Sequence, residues 1–223
     1  MNYKDAGFST WNGGANFNIG QGYLISYEAT QTGKSFSGAL NTADVTKTNL
    51  TRTGPSVSAG FHLLGNPFAS AVKWNDGNWA LTDVAGTAKI WNEGNKSYSD
   101  VAANGYIPSA QGFMVQAADG TNNITIPAAS REHNNTAWYK STNDLERIFL
   151  KATESEGGSA QESQILVNPS ASGEFDFDYD SRFLAGYAPQ FYSTAGGELL
   201  STNTLPSLPA ETVIPFGFVK NDA

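Results

Sequence analysis

The sequence contains no cysteine, and only two histidines and two methionines occur among its 223 residues. The absence of cysteine excludes a disulfide framework, a thiolate zinc site and a cysteine nucleophile. Basic residues are also scarce, because 13 Lys and Arg stand against 21 Asp and Glu, a formal net charge of -8. We therefore expect no nucleic acid partner and no anionic membrane surface, since both are bound by clustered Lys and Arg. No apolar run approaches the ~20 residues that span a bilayer, so we expect no membrane insertion.

Helical periodicity is nearly missing as well. Gly (23) and Pro (9) punctuate the whole chain, and the runs between them are short, β-branched or aromatic, and often alternating. These runs predict strands at residues 22–27, 61–64, 89–91, 112–117, 124–126, 147–152 and 164–167. The best helical candidate, residues 128–139, is short and is interrupted by two asparagines. The pattern indicates an all-β fold with sandwich-like packing of short strands, and a right-handed parallel β-helix is the alternative.

One pattern occurs twice along the chain. A Trp-Asn-x-Gly turn (residues 11–14 and 91–94) is followed by a loop and then by Gln-Gly-aromatic (residues 21–23 and 111–113) that opens an apolar strand. We interpret residues 1–140 as a duplicated β-rich region built from this unit. Residues 141–223 are then a β-rich C-terminal portion that packs on the first region as one unit.

Four segments carry a family resemblance. They are GFHLLGNPFASAVKW at 60–74, IPSAQGF at 107–113, FSGALNTADV at 36–45, and a series from FDFDYD at 175–180 to IPFGF at 214–218. Together they resemble an accessory β-rich region of secreted multidomain proteins of the Bacteroidetes, normally found upstream of a type IX secretion sorting domain. The second segment departs from the family pattern, because Ala110 stands where the family usually has Gly. The resemblance covers nearly the whole chain.

The resemblance implies a setting rather than an activity. It implies a secreted or cell-surface protein with covalently linked neighbouring domains. The first residues, 1–4, lack the basic start and the apolar stretch of a signal peptide. The protein is then either cytoplasmic or a piece of a larger secreted chain, and we interpret both ends as boundaries inside such a chain.

The leading candidate for a binding surface is a loop-rich aromatic stretch. Flat sugar faces pack on indole rings, while sugar hydroxyls need Asn, Asp and Gln partners. The candidate ligand-binding residues are Trp74, Trp79, Trp91, Tyr98, Asp76 and Asn78. We expect at least one of Trp74 and Trp79 to be exposed. The alternative is that these aromatics pack in the core, where most tryptophans lie.

An acidic run is the candidate for a metal site. Asp176, Asp178 and Asp180 alternate with aromatic residues, and on a strand this places three carboxylates on one face. Calcium favours such oxygen clusters, so calcium is a possible ligand, and no other cofactor is predicted. The EF-hand pattern fails, because Ser181 stands where Gly is needed. The alternative is a half-buried strand with a solvated acidic face.

These observations predict a non-catalytic carbohydrate-binding module of a secreted polysaccharide-degrading enzyme. No Gly-x-Ser-x-Gly elbow, phosphate loop or dinucleotide fingerprint occurs, and no spacing singles out the carboxylate pair that a glycosidase needs. A catalytic glycosidase domain is therefore the weakest alternative. The stronger rival is a structural spacer between a passenger domain and a sorting domain, which predicts buried tryptophans and no glycan affinity. The acidic charge disfavours anionic glycans unless calcium bridges them.

Overall fold

The computed structural model describes residues 2–4, 7–9, 16–25, 37–133, 146–154 and 158–220. Within these ranges the chain forms strands β1 (Asn2–Lys4), β2 (Gly7–Ser9), β3 (Val45–Arg52), β4 (Phe61–Gly65), β5 (Ala71–Lys73), β6 (Ala80–Thr82), β7 (Ala88–Asn92), β8 (Ser97–Val101), β9 (Tyr106–Ile107), β10 (Gly112–Gln116), β11 (Gly120–Ile126), β12 (Arg131–Glu132), β13 (Arg147–Thr153), β14 (Ala160–Val167), β15 (Ser181–Arg182), β16 (Gln190–Ala195), β17 (Glu198–Leu205) and β18 (Phe216–Val219). A three-residue 3-10 helix, Ala128–Ser130, precedes β12. The described part of the chain contains no helix of the length and apolarity that a membrane crossing requires.

The first half of the chain builds an antiparallel sandwich. A six-stranded sheet has the order β2-β1-β4-β10-β7-β8, and two three-stranded sheets have the orders β3-β11-β6 and β12-β5-β9. Their inward side chains form one apolar cluster, to which the six-stranded sheet contributes Leu64, Ile90, Phe113 and Val115 and the smaller sheets contribute Leu50, Val72, Ile107, Ile124 and Ile126. Removal of this apolar surface from water is the main term that holds the sheets together. The predicted all-β, sandwich-like fold is confirmed.

The six-stranded sheet is covered on its other face as well. Phe61, Leu63 and Met114 pack there with Leu184 of the C-terminal half. The first four residues of β4 are consequently all buried, although neighbouring side chains point to opposite faces. A strand that is buried on both faces is expected to be apolar without alternation. β4 has this character apart from His62, whose Nε2 lies 2.8 Å from Thr51 O.

The C-terminal half forms a second six-stranded sheet. Its order is β13-β14-β17-β16-β18, and β15 also pairs with β17. The pair β14–β17 is parallel, and the other paired strands of the described residues are antiparallel. The parallel β-helix alternative is therefore wrong, because that fold stacks parallel strands throughout.

Most of the predicted strands occur in the structure. The runs at 61–64, 89–91, 112–117, 124–126, 147–152 and 164–167 correspond to β4, β7, β10, β11, β13 and β14. The run at 22–27 differs, because residues 22–25 lie outside any strand and Gln21 alone forms a bridge, to Leu64. The helical candidate at 128–139 is the short 3-10 helix followed by β12, and residues 134–139 lie outside the described ranges.

The two halves follow the chain order. The first three sheets take their strands from residues 2–132, and the C-terminal sheet takes its strands from residues 147–219. The predicted boundary at residue 140 lies outside the described residues and stays a prediction.

The repeated Gln-Gly pairs lie beside the same strand. Gln21 bridges Leu64 and Gly22 N donates to Leu63 O, whereas Gly112 and Phe113 pair with Gly65 and Leu64 through β10. A Cβ at residue 22 would collide with the carbonyl of residue 64, so glycine is required there. The first Trp-Asn-x-Gly turn, residues 11–14, lies outside the described residues.

A buried asparagine joins two of the segments that carry the family resemblance. Asn66 Nδ2 donates to the carbonyl oxygens of Ser70, Ile107 and Pro108 at 2.9, 3.1 and 2.9 Å, and its Oδ1 accepts from Phe68 N at 3.0 Å. The Gly-Asn-Pro loop and the Ile-Pro loop are thereby held against each other. Several residues of these motifs are thus explained by the fold, without reference to a ligand.

Candidate functional site

Trp74 and Trp79 lie in the sandwich core. Their exposed fractions are 0% and 8%, and their ring centroids are 4.6 Å apart. Trp74 Nε1 donates to Gly86 O and Trp79 Nε1 donates to Lys73 O, both at 2.7 Å. The prediction that at least one of them is exposed is wrong. The turn between them folds inward, where each indole N–H finds a backbone carbonyl and each ring packs near Phe113.

Asp76 and Asn78 stabilise the turn between these tryptophans. The Asp76 carboxylate accepts hydrogen bonds from Asn78 N at 3.1 Å, from Asn78 Nδ2 at 3.2 Å and from Ser130 Oγ at 2.8 Å. This arrangement is the local side-chain to backbone bonding by which Asp favours turns. The geometry therefore gives both residues a structural role, and their predicted role in ligand binding stays a prediction.

Trp91 and Tyr98 form a partly exposed aromatic group with Tyr187, which we call the aromatic corner. The Trp91 ring lies 5.1 Å from that of Tyr98 at an interplanar angle of 72°, and 5.9 Å from that of Tyr187 at 88°. Tyr187 is 80% exposed, while Trp91 and Tyr98 are half-buried. The rings of Trp91 and Tyr187 are nearly perpendicular, so an apolar ligand face could pack against one ring while its edge contacts the other.

Strand pairing and one close approach build the aromatic corner. Trp91 and Tyr98 are direct cross-strand partners in the β7–β8 hairpin. The loop that carries Tyr187 docks on the end of this hairpin, where Tyr187 N donates to Lys96 O at 2.9 Å. A Cβ at Gly186 would lie 2.6 Å from Lys96 O and 3.0 Å from the Trp91 ring, so only glycine permits this contact.

A charged pair borders the aromatic corner. Trp91 Nε1 donates to Glu93 Oε2 at 2.7 Å, and Glu93 also forms an ion pair with Lys96. The hydrogen bonds from Lys96 and then from Trp91 lower the pKa of Glu93 below its ordinary value. Glu93 is therefore ionised at neutral pH and restricts the orientation of the indole ring.

The predicted acidic strand is a turn. Residues 177–179 form this turn, in which Tyr179 N and Asp180 N both donate to Asp176 O, at 3.2 and 2.7 Å. Asp180 is buried, and its carboxylate accepts from Asp176 N at 2.7 Å and from Thr204 N at 2.6 Å. The prediction of three carboxylates on one strand face is wrong, because the bonds to Asp180 wind the segment back on itself.

This turn does not gather metal ligands. Among the described residues, no group of three His, Asp or Glu side chains is arranged to hold a metal ion. Asp178 is exposed, whereas Asp180 is enclosed by backbone donors. Burial raises the pKa of Asp180 to about 6, against the opposing effect of these two backbone hydrogen bonds.

The β7–β8 hairpin is also the place where the two halves of the chain meet, and we call this contact the junction. Lys89 Nζ donates to Asp100 Oδ1 at 2.6 Å, to Ser181 Oγ at 2.8 Å and to Ser201 Oγ at 2.6 Å. The side chains of Lys89 and Asp100 are each 3% exposed. Three acceptors satisfy the three protons of an ammonium group. The ion pair itself joins β7 to β8, and the bonds from Lys89 to Ser181 and Ser201 link it to the C-terminal half.

A second open feature lies at the base of the same hairpin. A cleft of about 340 Å³, which we call the junction cleft, lies between the halves. Its apolar lining includes Leu81, Val84 and Leu166. Its polar lining includes Thr87, Asn168, Asp178 and Tyr179. The cleft therefore combines an apolar side with several hydrogen-bonding groups.

Fold and site together define an all-β protein of two packed halves with an aromatic corner and a polar cleft along their junction. In comparisons with known proteins, the chain matches no family model, no curated protein and no solved structure.

Two of the three residues of the aromatic corner are predicted from the sequence. Trp91 and Tyr98 are brought together as predicted candidates, whereas Tyr187 lies 89 positions beyond Tyr98 and escaped notice. A usable signal was the Gly186-Tyr187 pair, since a glycine before an exposed aromatic indicates a close backbone approach. Thr87 and Asn168 carry no comparable signal in the sequence.

Proposed function

We propose that this chain is a non-catalytic carbohydrate-binding module of a secreted polysaccharide-degrading enzyme. The observation that carries the proposal is the aromatic corner, with Tyr187 80% exposed and at 88° to Trp91. The C–H face of a sugar ring packs on such aromatic surfaces, and a rigid ring loses little conformational entropy on binding. The secreted setting rests on the family resemblance of the sequence.

The surroundings of the corner favour a neutral or weakly polar glycan. Glu93 and Lys96 neutralise each other at its border, and Asn92 and Asn95 lie in the same turn. Amide and carboxylate groups at the edge of an aromatic surface supply partners for sugar hydroxyls. The net charge of -8 repels anionic chains at low ionic strength.

Affinity gel electrophoresis with soluble xylan and mixed-linkage β-glucan, and pull-down with cellulose, tests the proposal. Pectin and alginate, each with and without calcium, are the anionic comparison. We expect retardation by a neutral glycan, and we expect Trp91→Ala and Tyr187→Ala each to weaken it about tenfold or more, as for central aromatic contacts.

The matched control is Phe218→Ala. Phe218 is 59% exposed on β18 and is not one of the three residues of the aromatic corner, so its replacement removes an exposed aromatic of the same half as Tyr187. We expect this variant to bind as the wild type does. Equal losses in all three variants would contradict a site at the corner. No retardation by any glycan, with cooperative unfolding intact, would overturn the proposal.

A structural spacer is the second candidate function. The burial of Trp74 and Trp79 favours it, because a spacer predicts buried tryptophans. The buried Lys89 supports it too, since its hydrogen bonds to Ser181 and Ser201 tie the two halves into one unit. A folded protein that binds no glycan, and that raises the unfolding temperature of a covalently linked neighbouring domain, is the result that the spacer predicts.

A further inference from the structure

The junction cleft has the composition of a site for a small polar ligand with one apolar face. Leu81, Val84 and Leu166 supply apolar surface, and Leu166 is nearly fully buried. A volume of about 340 Å³ is within the range of pockets that hold small organic ligands. The cleft is thus large enough for one sugar unit and much too small for a folded partner.

Several polar groups of the cleft lack a partner within the described ranges. Thr87 is only 6% exposed, and its hydroxyl makes no hydrogen bond there. Asn168 Oδ1 accepts from Ser170 N at 3.0 Å, while its Nδ2 donates to no described residue. The Thr87 hydroxyl and the Asn168 amide are not among the buried side-chain atoms of the described residues that lack a partner, so both reach water in the cleft. A ligand in the cleft can replace that water with its own hydroxyl groups.

Asp178 adds an acceptor at the same place. Its backbone N–H donates to Asp176 Oδ1 at 3.1 Å, but its own carboxylate has no hydrogen-bonding partner among the residues that the structure describes. Tyr179, the next residue, also lines the cleft. Hydroxyl, amide and carboxylate groups within one cleft match the vicinal hydroxyls of a sugar, whereas a single carboxylate disfavours an anionic ligand.

The backbone holds these groups in place without a ligand. Asp180, buried beneath the turn, accepts from Thr204 N, and Thr204 Oγ1 donates to Tyr179 O at 2.9 Å. Gly86 N donates to Phe177 O at 3.4 Å, and a Cβ at Gly86 would collide with the carbonyl of Asp178. The turn that carries Asp178 and Tyr179 is therefore fixed to both halves of the molecule.

We infer that the junction cleft binds a single neutral sugar unit, through an apolar contact with Leu81, Val84 and Leu166 and hydrogen bonds to Thr87, Asn168 and Asp178. The inference rests on the proposed function for the class of ligand, a carbohydrate, but it concerns a site distinct from the aromatic corner. The corner contacts the turn end of the β7–β8 hairpin, and the cleft lies at its base.

Chemical-shift titration of the 15N-labelled protein tests the inference. The probes are glucose, xylose, mannose and galactose, with glucuronic acid as the anionic comparison. We expect at least one neutral sugar to shift the amides of residues 81, 84, 87, 166 and 168, and glucuronic acid to bind about tenfold more weakly. Thr87→Val, which keeps the side-chain shape, and Asp178→Asn are each expected to weaken binding about fivefold to tenfold.

Two controls separate this inference from the proposed function. Asp119→Asn removes an exposed charge elsewhere, since the Asp119 side chain is 91% exposed, and it is expected to leave sugar binding unchanged. Trp91→Ala is expected to leave the cleft titration unchanged while it weakens binding of the polymer.

Polymer binding without cleft shifts would overturn the cleft inference alone. Cleft shifts without polymer retardation would overturn the proposed function alone, and equal binding by the Thr87→Val and Asp178→Asn variants would remove the assigned contacts.

Discussion

The sandwich core and the junction are filled by different kinds of side chain. The core holds Trp74 and Trp79 among aliphatic residues, with each indole N–H bonded to a backbone carbonyl. The junction instead holds an ion pair surrounded by hydroxyl groups, and the aromatic corner and the junction cleft lie at its two ends.

The difference teaches where binding surface is available in this fold. The six-stranded sheet of the first half is covered on both faces, so its central strands have no free surface to offer. The halves meet through the apolar cluster of Leu184 and through polar contacts at the β7–β8 hairpin, and the aromatic corner and the junction cleft border these polar contacts.

The largest effect is expected for Trp74→Ala. This change leaves a cavity among fully buried residues and removes the donor to Gly86 O, so it should lower the free energy of unfolding by about 3 to 5 kcal/mol. Trp91→Ala is expected to cost about 1 kcal/mol or less, because Trp91 is half-buried at the surface. Chemical denaturation of both variants measures the contrast, and similar losses would contradict it.

Lys89→Met tests the junction. It leaves the Asp100 carboxylate buried without its cation, and removal of one partner of a buried pair costs about 3 kcal/mol. The double variant Lys89→Met with Asp100→Asn removes the charge as well and should recover part of that loss. Denaturation midpoints of both proteins measure the effect. Wild-type stability in the single variant would show that the pair does not hold the halves together.

Asp180 gives the C-terminal half a dependence on pH. Burial raises its pKa from the ordinary 3.8 to about 6 in the folded protein, so the folded state keeps this proton in a range where the unfolded state loses it. The contribution of Asp180 to stability is therefore largest below about pH 4 and falls as the pH rises through about 6. Urea midpoints measured from pH 4 to 7 should show this fall in the wild type and not in Asp180→Asn. An unchanged slope in that variant would assign the titration to another group.

Ala110→Gly should have the smallest effect and the opposite sign. Ala110 has φ of 58°, in the region that costs a non-glycine residue about 1 kcal/mol, so glycine should stabilise the protein by up to about 1 kcal/mol. Ala103→Gly is the control, because Ala103 has no positive φ and the same change there should destabilise by about 0.5 kcal/mol. Denaturation midpoints of the two variants measure the difference. A lower stability of Ala110→Gly than of the wild type would show that the backbone at residue 110 is not strained.

Ala110 has a positive φ of 58°, a backbone conformation that favours glycine. The glycine that the family resemblance implies at this position stays a prediction, and the φ gives it a physical reason. The Gly-Asn-Pro segment is similarly explained, because Asn66 holds two loops together through four hydrogen bonds. Motifs of this kind specify turns and close approaches through few residues, some of them local, as in the bond of Asn66 to Phe68, and some distant, as in its bonds to Ile107 and Pro108.

The individual aromatic positions were harder to predict. Trp74 and Trp91 each stand before a polar, glycine-containing turn, yet one is buried and the other lies at the surface. Whether each ring is buried depends on which face of its sheet packs against another sheet, and that packing is set by residues far apart in the chain. The acidic run shows the same limit, because the N–H of Thr204, 24 residues beyond Asp180, helps to hold it as a turn.

The sequence alone was enough to predict the all-β class, six of the eighteen described strands and the acidic, cysteine-free composition. Those features follow from the period of apolar residues, from Gly and Pro at turns, and from the count of charges. Only the tertiary structure decided which aromatics are accessible, where the two halves meet, and which unpaired polar groups share a cleft. Burial and proximity depend on the packing of several sheets against one another, so no local stretch of sequence contains them.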